Sequence, residues 1–108
     1  MIKNKIIFVD FDKTITDNSP FPITGKLREG CKECLLKLAE NGNTLIVNTM
    51  RKGADLKEAK KLVKEWGLPI QSFNYKNNKI KADLYIDDKN IFIEEINWYD
   101  ILKYLEGK

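Results

Sequence analysis

Histidine is absent from the chain. That excludes Ser-His-Asp and Cys-His nucleophiles and histidine-bound metals together, and leaves acid–base work to carboxylates, Lys, Tyr or Cys. Cysteine occurs twice, as Cys31-x-x-Cys34. With no second pair and no His the two do not complete a zinc site. They fall on the apolar stripe of a predicted helix, where a free thiol is ordinarily buried. No apolar run approaches the roughly 20 residues that span a bilayer, and no signal-peptide pattern opens the chain. Charge of one sign is also scarce. The 19 Lys and Arg against 16 Asp and Glu leave +3, without a dense basic block, which gives nucleic acid or a membrane surface little to hold. No repeat, low-complexity tract or linker divides the 108 residues. The expectation is one soluble, cytoplasmic domain over residues 1–108, with 43% apolar residues to build its core.

What is present is organised around Ile6-Ile7-Phe8-Val9-Asp10-Phe11-Asp12-Lys13-Thr14. A β-branched apolar run too short for a helix reads as a buried strand, and two carboxylates spaced i, i+2 follow it at once. From Thr14 to Thr24 a polar, Pro-containing excursion reads as a short flap or hairpin with Asn18 to Pro22 at its tip. A helix is predicted from Leu27 to Asn41, stopped by Gly42, with Cys31, Cys34, Leu35 and Leu38 on its core stripe. Thr44–Asn48 is a second strand, Ala54–Trp66 a second helix, Ile70–Phe73 a third strand and Asp83–Ile86 a fourth. Lys76 to Asn78 reads as a polar turn and Ile91 to Ile93 as a further short strand. A last helix starts at Asn97, with Asp100 three residues on in a capping-box-like pattern. Strands alternating with helices predict an α/β protein, a Rossmann-like three-layer sandwich with a mainly parallel sheet.

In such a sheet the ends of the strands lie on one edge, where ligands bind. Asp10 and Asp12, Thr49, and Asp87 and Asp88 each follow a predicted strand, and Lys79 lies in the loop before the last pair. Clustered Asp without His or thiolate favours a hard, oxygen-seeking cation, with Mg²⁺ the usual choice beside a phosphate.

These residues resemble the haloacid dehalogenase (HAD) superfamily. Asp10-Phe11-Asp12-Lys13-Thr14 matches its DxDx[TV] motif, and Leu45 to Thr49 is similar to its second motif, an apolar strand ending in Ser or Thr. Lys79 resembles the third-motif Lys, and Asp87-Asp88 the acidic fourth motif. The run Asn78 to Asp88 is similar to small capless members, in which Lys-Pro-x-Ala-Asp leads into Tyr-Ile-Asp-Asp. Here Ile80 replaces that Pro, which leaves Lys81 as a rival for the Lys role. The resemblance implies a Mg²⁺-dependent phosphomonoester phosphatase. Asp10 would be the nucleophile that forms an aspartyl-phosphate, and Asp12 the general acid and then base, its carbonyl also touching the metal. Asp10 and Asp87 would hold Mg²⁺, with Asp88 a direct or water-mediated ligand. Thr49 and Lys79 would bind the transferring oxygens.

Arg51 and Lys52 follow Thr49 at the same edge, either as contacts to an anionic substrate or as a solvated pair. Neither interval between motifs holds the roughly 50 residues of a small extra domain, so no large cap is expected and only the flap would roof the site. A phosphorylated small molecule is the expected substrate. Either a large substrate or a neighbouring subunit in a homo-oligomer would complete the cover, with Phe21 at the flap tip either packing on one of them or folding back onto its own core. The alternative from another class is a regulatory phospho-acceptor module of receiver type. A receiver places its phospho-acceptor Asp on the third strand, where this chain has Phe73-Asn74. A phosphatase acting on nucleic-acid ends or on protein is the third reading.

Overall fold

The computed structural model describes residues 1–19, 23–74, 81–87 and 97–108. Four strands, β1 (Ile6–Asp10), β2 (Thr44–Asn48), β3 (Ser72–Asn74) and β4 (Leu84–Ile86), form one sheet in the order β3-β2-β1-β4. Every pairing is parallel. Helices α1 (Cys31–Glu40) and α2 (Gly53–Glu65) make the crossovers from β1 to β2 and from β2 to β3, and α3 (Trp98–Glu106) follows β4. The architecture is the Rossmann-like α/β sandwich that the alternating pattern predicts. The chain runs outward from β1 through β2 to β3, then returns to place β4 on the other side of β1. The strand order therefore reverses beside β1, the switch point at which open α/β sheets bind ligands.

Burial explains the short apolar strands. Ile7, Phe8 and Val9 on β1 and Leu45, Ile46 and Val47 on β2 are all buried, as strands inside a parallel sheet must be. Side chains alternate across a strand, so Ile7, Val9, Leu45 and Val47 share one face. They join a single apolar cluster with Cys34, Leu35 and Leu38 of α1, Ala59 and Val63 of α2, and Trp98 and Leu105 of α3. Both cysteines are free and buried. Burial pushes the Cys34 thiol up to about 12 and that of Cys31 higher still, so neither is poised as a nucleophile.

The element bounds depart from the sequence pattern in instructive ways. β2 matches residue for residue. α1 begins at Cys31, not Leu27, because the preceding residues belong to a ladder. Thr16 bridges Leu27 in antiparallel fashion, Asp17 N donates to Lys26 O at 2.9 Å, and Arg28 N donates to Ile15 O at 2.9 Å. The excursion is thus closed at its base as a hairpin, in line with the flap reading. Gly30 then turns the chain into α1 at φ +82°, with the Tyr99 ring so close that a Cβ would lie 3.1 Å from it. β3 starts at Ser72, two residues later than the apolar run suggests, since Gln71 N donates to Leu45 O before the strand proper. Asn97 caps α3, its Oδ1 accepting from Tyr99 N at 3.0 Å and Asp100 N at 3.2 Å. The turn at 76–78, the strand at 91–93, Phe21, Lys79, Ile80 and Asp88 lie outside the described residues.

Candidate functional site

β1 delivers its carboxylate straight to the sheet edge. Register pairs Val9 with Val47 and Ile86, and Asp10 with Asn48, so one step further along β4 stands Asp87. Asp10, Asn48, Thr49 and Asp87 line one cleft of about 200 Å³, together with Phe8, Met50, Tyr85 and Ile86. Tyr85 meets Phe8 edge-on, with ring centroids 5.5 Å apart, and forms an apolar wall beside the carboxylates. Thr49 is buried at 4% exposure, and its Oγ1 accepts from Arg51 N at 3.1 Å, an arrangement that leaves its O–H to donate.

Past Asp10 the chain makes a wide turn, Phe11–Ile15, closed by Thr16 N donating to Phe11 O at 3.1 Å. Asp12 is extended inside it, and Lys13 takes the left-handed conformation at φ +65°. Such a φ costs a non-glycine residue about 1 kcal/mol. Local bonds hold it there: Lys13 N donates to Thr16 Oγ1 at 3.0 Å, and Lys13 O accepts from Arg28 Nη2 at 3.0 Å. Trp98, buried on α3, donates from Nε1 to Thr14 O at 2.8 Å and pins the turn to the helical layer. At the base of the flap, Ser19 donates side chain and backbone to Asp17 Oδ1, at 2.7 and 3.0 Å. The two bonds hold the Asp17 carboxyl below its ordinary value.

The structure brings Asp10, Thr49 and Asp87 together and treats Asp12 and Arg51 differently. The Asp12 carboxylate is gripped by Arg51, with Nε 2.8 Å from Oδ2 and Nη2 2.6 Å from Oδ1. Arg51 is neither a solvated cation nor a lining residue of the cleft. It is 1% exposed, its Nη1 donates to Thr24 Oγ1 at 3.1 Å and Asp55 O at 3.3 Å, and its guanidinium lies 5.1 Å from the Phe11 ring centroid. The Phe11 ring also stacks on Trp66. A guanidinium is buried only with its charge answered, and Asp12 answers it. The Asp12 hydrogen bonds push the Arg51 pKa above its ordinary value, against the opposing effect of burial. Lys81, the rival to Lys79, is exposed and is not among the described residues that line the cleft.

Among the described residues no three carboxylates or thiols come together as a ready metal cage. Two carboxylates, Asp10 and Asp87, face the same cleft, an all-oxygen donor set that suits a hard cation. Asn48 was legible as a polar strand end, but only the register places it level with Asp10. Nothing in the sequence marked Thr24 as a partner of Arg51. No helix among the described residues is long and apolar enough to cross a membrane.

No protein-family model and no curated protein matches the chain. A solved structure, that of a conserved protein coded by a locus of Bacteroides thetaiotaomicron, is similar at TM-score 0.82 and 31% identity, over 97% of this chain and 92% of that one. At that identity and coverage, this chain belongs to the same family as that conserved protein.

Proposed function

We propose that the protein is a Mg²⁺-dependent phosphomonoester phosphatase that works through an aspartyl-phosphate. The observation that carries this reading is the meeting of Asp10, Thr49 and Asp87 in one cleft at the switch point of the sheet. In the first half-reaction an Asp10 carboxylate oxygen attacks phosphorus, the ester P–O bond breaks, and Asp12 protonates the departing alcohol oxygen. In the second, Asp12 takes a proton from water as that water attacks the aspartyl-phosphate, which frees Asp10 and releases inorganic phosphate. The Thr49 hydroxyl donates to a phosphoryl oxygen, with Lys79 or Lys81 supplying the cation. Asp10 and Asp87 would hold Mg²⁺, joined by the Asp12 carbonyl and by Asp88. Bound there, the ion would screen the repulsion between a carboxylate and a phosphate that must meet.

The cleft is smaller than the roughly 300–1,000 Å³ of drug-sized ligand pockets. That fits a substrate entering by its phosphoryl group, with the rest of the ester outside or under the flap. The substrate is a phosphorylated small molecule, and an oligomer that covers the open site remains part of the reading. The test is phosphate release from a panel of sugar phosphates, nucleotides and phosphorylated oligonucleotides, with Mg²⁺ and with chelator. Mg²⁺-dependent turnover with an acid-trappable acyl phosphate is the expected result. A stable phosphoprotein without turnover would favour the receiver-type module, and no reaction with any ester would remove the enzyme reading.

A further inference from the structure

The Asp12–Arg51 pair lies outside the cleft lining, yet it joins four segments of the chain. Arg51 stands just past β2 and grips Asp12 in the turn after β1 with a two-pronged bond. Its Nη1 reaches Thr24, on the returning arm of the flap, and the Asp55 carbonyl in the first turn of α2. A guanidinium fork imposes a plane on the carboxylate it binds, which an ammonium does not. It occupies one lone pair on each oxygen and leaves the others for a proton.

We infer that Arg51 is a positioning residue: it fixes the orientation of the Asp12 carboxylate and, through the Thr24 hydroxyl, ties that orientation to the flap. The inference rests on the phosphatase reading. Arg51 neither gives nor takes a proton; it holds the group that does. Acid–base carboxylates must sit within about 0.5 Å and 10–20° of their working geometry, and a buried fork anchored also at Thr24 and at the Asp55 carbonyl supplies that constraint. The link to Thr24 means that displacing the flap loosens the same fork.

Assistance to the leaving group separates this role from a merely structural one. An alkyl phosphate needs its departing oxygen protonated, whereas p-nitrophenyl phosphate departs as a stable anion. First-turnover rates on both esters, with Mg²⁺, are measured for the wild type, Asp12→Asn, Arg51→Lys and Thr24→Val. Arg51→Lys keeps the charge and loses the fork. It is expected to slow the alkyl ester about 100-fold and the aryl ester less than about tenfold, in the direction set by Asp12→Asn. Thr24→Val shifts the same ratio by a smaller factor. Equal losses on both esters, or a raised KM with kcat intact, overturn the positioning role, the second by making Arg51 a substrate contact. Should Arg51→Lys fail to fold, Thr24→Val decides alone, and an unmoved ratio there overturns the inference. A wild type inactive on both esters removes the phosphatase reading and this inference with it. A wild type that is active with unmoved ratios removes only the inference.

Discussion

The two edges of the sheet are built from the same kinds of side chain and use them in opposite ways. At the amino-terminal edge the polar groups are bound to backbone. Asn43 is 6% exposed, donates from Nδ2 to Ile2 O at 3.0 Å and Leu38 O at 2.8 Å, and accepts at Oδ1 from Lys5 N at 3.0 Å. Asp83 accepts at Oδ2 from Ile6 N at 2.8 Å, while its own N donates to Ile6 O at 2.8 Å. At the carboxyl edge Asp10, Asn48, Thr49 and Asp87 face a cleft. β4 shows the contrast within one strand: Asp83 precedes it and closes a backbone ladder, and Asp87 follows it and enters the cleft. Residue type therefore says little about role at a strand end. The partner decides it, and in a parallel sheet the edge decides the partner.

The sharpest way to break this comparison is to substitute one residue from each edge. Asp10→Asn keeps the shape and removes the nucleophilic charge. It is expected to lower kcat at least about 1,000-fold, about 4 kcal/mol of barrier, with stability changed by less than about 0.5 kcal/mol. Phosphatase assay and thermal melting of the purified variant check both halves. Wild-type turnover in that variant would take the nucleophile away from Asp10. Asn43→Ala is the mirror image. It removes three side-chain bonds to backbone, one of them buried, and at about 1 kcal/mol for each is expected to cost about 3 kcal/mol of unfolding free energy. Denaturant titration measures the loss. The folded fraction should keep the kcat of the wild type, since Asn43 is at the edge away from the cleft.

Trp98 lies between the two cases. It belongs to the helical layer, and its indole N–H holds the turn that carries Asp12 through Thr14 O. Trp98→Phe removes that donor and part of a fully buried ring, at an expected cost of about 2 kcal/mol. Because the turn is then less firmly held, kcat should fall severalfold as well. A variant that loses stability with its kcat untouched would make Trp98 a core residue and nothing more.

How far the sequence could be read follows the range of the interactions involved. β1, β2 and α3 were legible because each is specified by neighbours in the chain: an apolar β-branched run, or Asn97 capping the turn beside it. The start of α1 was not, since Leu27 fits the helical period but pairs with Thr16 across the flap. The ion pair of Arg51 was illegible for the same reason. A cation just past a strand reads as a substrate contact or as solvated, and its carboxylate partner lies 39 residues away. The carboxylates of the site stood out because polar residues follow several predicted strands whose ends a parallel sheet brings to one edge. Asn48 did not, because its meaning comes only from standing level with Asp10 across two strands.

The smallest effect expected is on Thr14, and it tests whether the carboxyl edge is functional throughout. Thr14 lies in the turn between Asp12 and the flap and is fully buried, yet its hydroxyl has no hydrogen-bond partner among the described residues. Its carbonyl holds Trp98, so the backbone is in use and the side-chain oxygen is not. A buried hydroxyl without a partner costs about 1–3 kcal/mol of desolvation. Val has the same branched shape with a methyl in place of the hydroxyl, and its stiffness at χ1 suits a site already fixed by packing. Thr14→Val is therefore expected to raise the unfolding free energy by about 1 kcal/mol, read as a higher Tm, with kcat on a phosphomonoester unchanged. A loss of activity at preserved stability would instead give the Thr14 hydroxyl a part in the chemistry, and the line between the two edges would then have to be drawn further along the turn.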